Sequence, residues 1–503
     1  YKEQYLRFCE YLYQYEPAKA IFSNQPKLMR DFAKKLMGRL VFLYFLQKKR
    51  WLGGTIGSGN WEDGANDFIR QLFEKSANKG YFYSQILVPL YFRTLNTNEK
   101  ERPGFAYQAP WGKIKVPFLN GGLFEEDQEG TEQFDFPEQL FHNLLDLYDR
   151  YNFTVDENSP NDHEVGIDPE MLGHIFENLL EENREKKGAF YTPKEIVHYL
   201  CQESLWQSLK TRLLGVNKAA DVVWSDSRES DERELEHFVR NKERGPKDGF
   251  IYKNARSIES ALHGMRICDP AIGSGAFPMG LLHEIFLCHV ELDLTKDFGK
   301  LKRNIIEHCI YGVDIDKGAV DIAQLRFWLA LVVDEKTPRP LPNLDYKIMQ
   351  GNSLLERFEA TDLSRLMSEE GQGVDGGPLR GSDLFLVEEP PPVFNTKEKT
   401  AIRKLLHDYY VAQSKEIKKD LLLKINKVVV DKIDNIIFKE KQKLLFEKSD
   451  IQTEIKRQLE FKRDPANLRK NLVKKEAEIV EFEQRRERLH ECLSIPEKPF
   501  FLW

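Results

Sequence analysis

The sequence predicts an α/β fold, with a mainly helical region before it and a long helical hairpin after it. Three stretches carry this expectation. The first is Arg266-Ile-Cys-Asp-Pro-Ala-Ile-Gly-Ser-Gly-Ala-Phe-Pro-Met-Gly280, a short apolar strand, a glycine turn and the start of an apolar helix. The second is Ile310-Tyr-Gly-Val-Asp-Ile-Asp316, an apolar run closed by acids and followed by another helical pattern. The third is Tyr346–Met349, which ends in Gln350-Gly-Asn-Ser-Leu354. Strands that alternate with helices imply a mostly parallel sheet, with ligands at the strands' carboxyl ends.

Bulk properties narrow the class. The chain has 503 residues, enough for two to four domains. A net charge of -7 excludes a uniformly basic nucleic-acid coat. Six cysteines lie far apart with no CxxC pair, so neither a disulfide framework nor a zinc site is expected. No apolar run approaches the roughly 20 residues that span a bilayer, and the N-terminus lacks a signal-peptide pattern. A reducing, cytoplasmic setting and no membrane partner are the expectations. The chain begins at Tyr1 without a methionine and stops at Trp503, which suggests a piece of something longer.

In chain order, residues 1 to about 52 read as helices, with Leu36, Leu40, Leu43 and Leu46 at helical spacing. Lys48-Lys49-Arg50 closes that segment, as a helix-terminal charge cluster or a phosphate contact. Helical patterns return over 66–95. Asn120-Gly-Gly122 between apolar flanks is a tight-turn signal. Asp168-Pro169-Glu170 opens a helix expected to reach about Glu182. Thr192, Pro193 and Glu195 form a capping box before the next helix. The acidic run Asp226–Glu236 reads as a solvated face.

The glycine turn precedes a helix expected over Ala276–His289. Ile305 to Ile315 reads as the second buried strand, and Ala319 to Val333 as the helix after it. Residues 396–489 carry 25 Lys and Arg against 17 Asp and Glu, a net of +8 that leaves the remainder at -15. They read as an antiparallel hairpin broken near Asp464-Pro465, either a solvated arm or one that touches DNA phosphates. The expected boundaries are 1–165 mainly helical, 166–367 the α/β core, 368–395 a loop, 396–489 the charged insertion and 490–503 a return to the core.

The chemistry of the turn separates its ligands. A dinucleotide fingerprint needs GxGxxG and an acid about 20 residues on. Here Phe277-Pro278 follows Gly275, and Asp314 is the next suitable acid. A Walker loop would need Gly-Lys-Ser/Thr, which does not follow. A carboxylate in the turn suits an ammonium or sulfonium ligand, and S-adenosyl-L-methionine carries both. Asp314 at a strand end can accept both ribose hydroxyls. No metal is needed for such chemistry.

Gly188-Ala-Phe-Tyr-Thr-Pro193, Asp269-Pro-Ala-Ile-Gly-Ser-Gly-Ala-Phe277, Tyr311-Gly-Val-Asp-Ile-Asp316 and Gly351-Asn-Ser-Leu354 resemble four successive motifs of adenine-N6 DNA methyltransferases, in the gamma-class order. Leu119-Asn-Gly-Gly-Leu-Phe124 and Ile167–Asn178 resemble the preceding helical region of type IIG restriction–modification and phage-defence methylases. The resemblance covers roughly residues 30 to 360. It implies a class I, Rossmann-like S-adenosyl-L-methionine-dependent domain acting on double-stranded DNA with a flipped adenine. A nuclease or specificity domain would belong to the same or a partner chain. By resemblance, Tyr191, Thr192 and Pro193 shape the pocket for the methionine carboxylate. Asp269, Pro270 and the backbone of Ala271, Gly273 and Gly275 hold the amino-acid part. Asp314 binds the ribose and Ile315 packs on the cofactor adenine. Asn352 meets the target amine and Ser353 packs beside that ring.

The family's Asn/Asp/Ser-Pro-Pro-Tyr/Phe tetrapeptide is not found. Glu389-Pro-Pro-Pro-Val-Phe394 lacks the leading amide and has no aromatic in place. The catalytic residues are therefore unassigned, and the chain is expected to stop before its catalytic loop. Asp334-Glu335-Lys336 is only a fragment of a nuclease pattern. Two other readings stay open: a methyltransferase for RNA, protein or a small molecule, and a non-catalytic binding module.

Overall fold

The computed structural model describes residues 1–120, 122–153, 166–167, 192–214, 222–294, 297–354, 357–358, 361–362, 394–461 and 463–491. The chain forms two compact units, Tyr1–Gln350 and Gly351–Trp503.

The first unit begins with helices α1 (Lys2–Gln14), α2 (Glu16–Ile21) and α3 (Pro26–Lys48). Leu36, Leu40, Leu43 and Leu46 are all buried on α3, as the helical spacing requires. The 66–95 region is not one helix. It holds α4 (Phe68–Glu74), a short 3-10 turn and two wide, π-type segments, Phe82–Leu87 and Pro89–Leu95. Pro89 lacks an N–H and interrupts the ladder, and the Thr94 hydroxyl donates to its carbonyl at 2.9 Å. An antiparallel pair, β1 (Ala106–Ala109) and β2 (Gly112–Lys115), follows, then α5 (Glu138–Tyr148). Two-residue strands β3 (Asn152–Phe153) and β4 (Gly166–Ile167) pair in parallel.

Arg39 shows what holds this helical part together. It is fully buried on α3 and donates to the carbonyls of Leu123 and Glu125, both at 2.7 Å, and to Asp127 at 2.5 Å. Burial alone would push Asp127 up, but Arg39 and Lys35 outweigh it and hold its pKa at about 2. Lys49 donates to the Val333 carbonyl at 2.7 Å. That bond ties the end of α3 to the last turn of the Lys317–Asp334 helix.

Next come α6 (Lys194–Leu214), α7 (Arg228–Asn241), α8 (Phe250–Lys253) and α9 (Ala255–His263). The acidic run is only partly a solvated face. Asp231 is buried and accepts Ser225 N–H at 2.7 Å, while Glu234 accepts the Phe250 and Ile251 N–H groups at 3.0 Å each. Glu234 thus satisfies two helix-start donors that have no intrahelical partner.

The three expected strands are β5 (Ile267–Asp269), β6 (Ile310–Asp314) and β7 (Ile348–Gln350), parallel and in that spatial order. Between them run α10 (Ala276–Leu292), α11 (Phe298–Cys309) and α12 (Lys317–Asp334). Residues 305–309 are therefore helix, not strand. Leu301, Ile305, Ile306 and Cys309 are buried at three- and four-residue steps, so the apolar run changes period at Ile310. Among the described residues the sheets are small and helices dominate. The α3 helix packs on α12 at Gly38, where an added Cβ would lie 3.2 Å from Leu325 Cδ2.

The second unit contains an antiparallel pair, β8 (Arg357–Phe358) and β9 (Thr361–Asp362), and three helices: α13 (Thr396–Val411), α14 (Lys415–Glu460) and α15 (Ala466–Glu491). Asn395 and Glu398 close a capping box at the start of α13. The α14–α15 hairpin turns across Asp464-Pro465 as expected, but α13 is an additional helix packed on α14. Phe394, Ile402, Val429, Val430, Ile433, Ile437 and Leu489 make its core. The expected 368–395 loop, the helix from Asp168 to about Glu182 and residues 492–503 of the expected return lie outside the described residues, Phe394 and Asn395 apart.

Candidate functional site

The glycine turn folds against the end of β6. β5 ends at Asp269, which pairs with Gly312, and β6 continues to Asp314 opposite Gln350. The Asp269 carboxylate accepts Ala271 N–H at 3.1 Å and so caps its own turn. Ile272 N–H donates to the Val313 carbonyl and Gly273 N–H to Asp314 Oδ2, both at 2.9 Å. Asp314 Oδ1 accepts Asp316 N–H at 2.8 Å. Thus Asp314 joins the two loops, and each of its oxygens keeps further acceptor capacity.

Gly273 and Gly275 have φ values of +55° and +86°, a region that disfavours side chains. An added Cβ at Gly273 would meet nothing within 4 Å, so open space lies over this residue. At Gly275 the same atom would be 3.3 Å from Ala323 Cβ, so this glycine serves packing against α12. Gly312 brings Ile272 onto β6, where a Cβ would sit 2.2 Å from Ile272 Cδ1.

Electrostatics favour a cationic visitor. Burial pushes the Asp269 pKa up, the Ala271 N–H opposes this, and the Asp314 carboxylate adds to it. Two carboxylates therefore face one turn, and among the described residues no cation on Asp269 compensates their repulsion. Ile315 is 67% exposed beside them, and its carbonyl accepts the Gln350 side chain at 3.4 Å. Pro270 and Ala271 are exposed. Asp316 caps α12 by accepting Gly318 N–H at 2.9 Å.

The structure brings Asp269, Pro270, Ala271, Gly273, Gly275, Asp314 and Ile315 together. Thr192 and Pro193 precede α6, which packs on α10. Val197 and Cys201 lie so close to Gly280 that an added Cβ would be 2.8 Å from Val197 Cγ1. The Cys201 thiol donates to the Phe277 carbonyl at 3.5 Å. The helix starts at Lys194, so the expected capping box of Thr192, Pro193 and Glu195 is one residue out of place, and proline offers no side-chain acceptor in its stead. The Pro193 carbonyl accepts Val197 N–H at 3.0 Å, which puts Pro193 rather than Thr192 at the cap. Tyr191 lies outside the described residues. Asn352 and Ser353 belong to the second unit, where exposed Asn352 accepts Leu354 N–H at 3.1 Å.

Sequence reading missed Arg326 and Gln324. Arg326 is 2% exposed and donates to the Ser274 carbonyl at 2.8 Å, fixing the middle of the glycine turn from α12. Gln324 donates to the Ile348 carbonyl at 2.9 Å and ties α12 to β7. The available signal was two polar residues inside the otherwise apolar run Ile322–Val333. Also missed was buried Glu284 on α10, which meets His198 at 2.8 Å and also pairs with Lys242 and Gln202. By contrast, Asp334 and Glu335 are held in ion pairs with Lys302 and Arg303, so the nuclease-like fragment is structural.

Parts of the chain are similar to known proteins. Residues 308–487 match the Eco57I restriction-modification methylase family. The chain is 31% identical over 349 residues to a putative type II restriction enzyme and methyltransferase, RM.MjaORFECS2P, of Methanocaldococcus jannaschii. That match covers 65% of this chain and 27% of the relative, so the chain spans about a quarter of the relative's length. A solved structure of the type IIL restriction-modification enzyme MmeI in complex with DNA aligns with a TM-score of 0.40 and 19% identity, covering 66% of this chain and 36% of that one. No helix among the described residues is long and apolar enough to cross a membrane. Over these stretches the chain is similar to restriction–modification methylases.

Proposed function

We propose that this chain holds S-adenosyl-L-methionine for methylation of adenine N6 in double-stranded DNA, as the modification part of a type IIG-like restriction–modification or phage-defence system. The observation that carries the reading is the Gly273–Asp314 bond, which sets two carboxylates around an open glycine turn. The residues fit the cofactor. Asp269 suits its ammonium, and the two oxygens of Asp314 suit the ribose hydroxyls. Gly273 N–H is already committed to Asp314, so Gly273 contributes close approach rather than donation. Ile315 offers an exposed apolar face for the cofactor adenine. Tyr191, Thr192 and Pro193 would shape the carboxylate end.

The cofactor supplies an electrophilic methyl on a sulfonium. This chain's residues bind and orient it. Asn352 and Ser353 are assigned to the target base by resemblance. Extruding that base costs a few kcal/mol, and positioning accounts for much of the rate in such a transfer. The amide-Pro-Pro-aromatic loop that would localise the N6 lone pair is absent from these 503 residues. The assignment here is accordingly cofactor binding, with transfer requiring that loop.

Calorimetry with S-adenosyl-L-methionine and with NAD tests the reading. Saturable binding of the former alone is expected, and Asp314→Ala should weaken it roughly 10- to 100-fold, the loss of charge-assisted hydrogen bonds. Unchanged affinity in that variant removes Asp314 from the site. With the catalytic loop supplied, N6-methyladenine in previously unmethylated DNA is the expected product. Methylated RNA or protein in its place would refute the DNA assignment.

A further inference from the structure

One side-chain cluster lies apart from the glycine turn and has no part in it. Glu259 and His263 stand one helical turn apart on α9, and His289 comes from the last turn of α10. One carboxylate oxygen and one nitrogen from each ring all lie within 4.8 Å of one another. The two ring centroids are 4.4 Å apart. His289 is only 1% exposed, and its Nε2 has no hydrogen-bond partner. Buried polar atoms are nearly always paired, and one left bare costs about 1–3 kcal/mol. The nearby Cys309 thiol points to the backbone carbonyls of Leu262 and His263, at 3.7 Å each.

We propose that Glu259, His263 and His289 bind a zinc-class divalent cation that cross-links α9 to α10. Two imidazoles and one carboxylate are a donor set that Zn2+ accepts, with a fourth position left for water. Mg2+ and Ca2+ prefer oxygen ligands and suit it poorly. Glu259 and His263 are half-buried, which gives the ion an entry path, while His289 anchors it from inside. The consequence reaches the pocket mechanically. The α9 helix leads into β5, and α10 leaves the glycine turn. A tie between them closes the strand–turn–helix on itself at the end away from Gly273.

The test uses the whole chain, stripped with a chelator and then titrated with Zn2+ by calorimetry and elemental analysis. Co2+ serves as the spectroscopic probe. One Zn2+ per chain is expected, with a higher melting temperature and tetrahedral Co2+ absorption bands. Glu259→Gln and His263→Gln should each lower Zn2+ affinity ~10-fold or more and abolish the melting shift. Both are half-buried positions, so circular dichroism should show both variants folded without metal, whereas His289→Gln risks the core. Absence of saturable uptake, or a Zn2+ affinity in either variant equal to the parent's, overturns the proposal.

Discussion

Gly275 adopts φ +86° with Ala323 Cβ 3.3 Å from where its own Cβ would be. Gly275→Ala should therefore cost about 1–3 kcal/mol, from left-handed strain and a forced shift of α12, as read by urea unfolding. Asp269 makes a different prediction. Its folded pKa is raised, so the folded state holds its proton to higher pH than the unfolded chain. Affinity for a cationic ligand should climb as pH rises through that elevated pKa, and Asp269→Asn should flatten the calorimetric pH profile. A steep profile in the variant would remove Asp269 as the titrating group. Asp127 gives the opposite sign for stability. Its folded pKa of about 2 lies below the ordinary 3.8. The stabilisation, about 2 kcal/mol, is full above the ordinary value and is lost as pH falls through 2. Asp127→Asn should cost about 3–5 kcal/mol at pH 7 by stranding buried Arg39, with the gap to the parent narrowing below pH 3. Asp269, Gly273 and Asp314 were legible because a turn ligand demands those residue types at those strand ends. Arg326 was not, because only the folded chain brings α12 beneath the Ser274 carbonyl.

The elements follow apolar period where it is unbroken and depart from it where two periods meet. The helix after β6 runs Lys317–Asp334, two residues earlier than its apolar run, because Asp316 caps it. The second strand was overextended because an apolar run of helix abuts one of strand at Ile310 with no glycine or proline between them. Pro465 marked the hairpin break correctly, since proline cannot continue a helix. The third helix of that unit, α13, escaped notice because its turn before Ser414 contains neither glycine nor proline. Ile433 is fully buried in the core that joins α13, α14 and α15. Ile433→Ala should cost about 2–5 kcal/mol and lower the unfolding midpoint of the second unit. A midpoint unchanged in circular dichroism would deny that core its role.

Charge divides the whole molecule: residues 396–489 carry +8 and the rest -15. The exposed Lys456, Arg457, Arg463, Arg469 and Lys470 cluster around the hairpin turn. If they meet phosphates, replacing them with glutamine should flatten the salt dependence of DNA binding by about 0.9 per lost contact. An unaltered slope in a filter-binding series would leave the arm without that role. Which segments share a compact unit was not legible from composition. The joint between the helical region and the sheet-bearing region is Gly38 against Leu325 and Lys49 on the Val333 carbonyl, contacts that span nearly 300 residues. The hairpin itself has one more property. From Phe438 to Glu478 only Pro465 is buried among the described residues, and the two helices are joined there by Lys441–Glu483, Lys448–Glu476 and Lys475–Glu447. A strut whose fully buried apolar core lies at its root, and whose outer half adds ion pairs to only half-buried Leu444, Ile451, Ile455, Leu468 and Leu472, will loosen in brine from the tip inward. Amide exchange beyond Ile437 should quicken with added salt while the root stays protected, making the arm's stiffness a readout of its ionic surroundings.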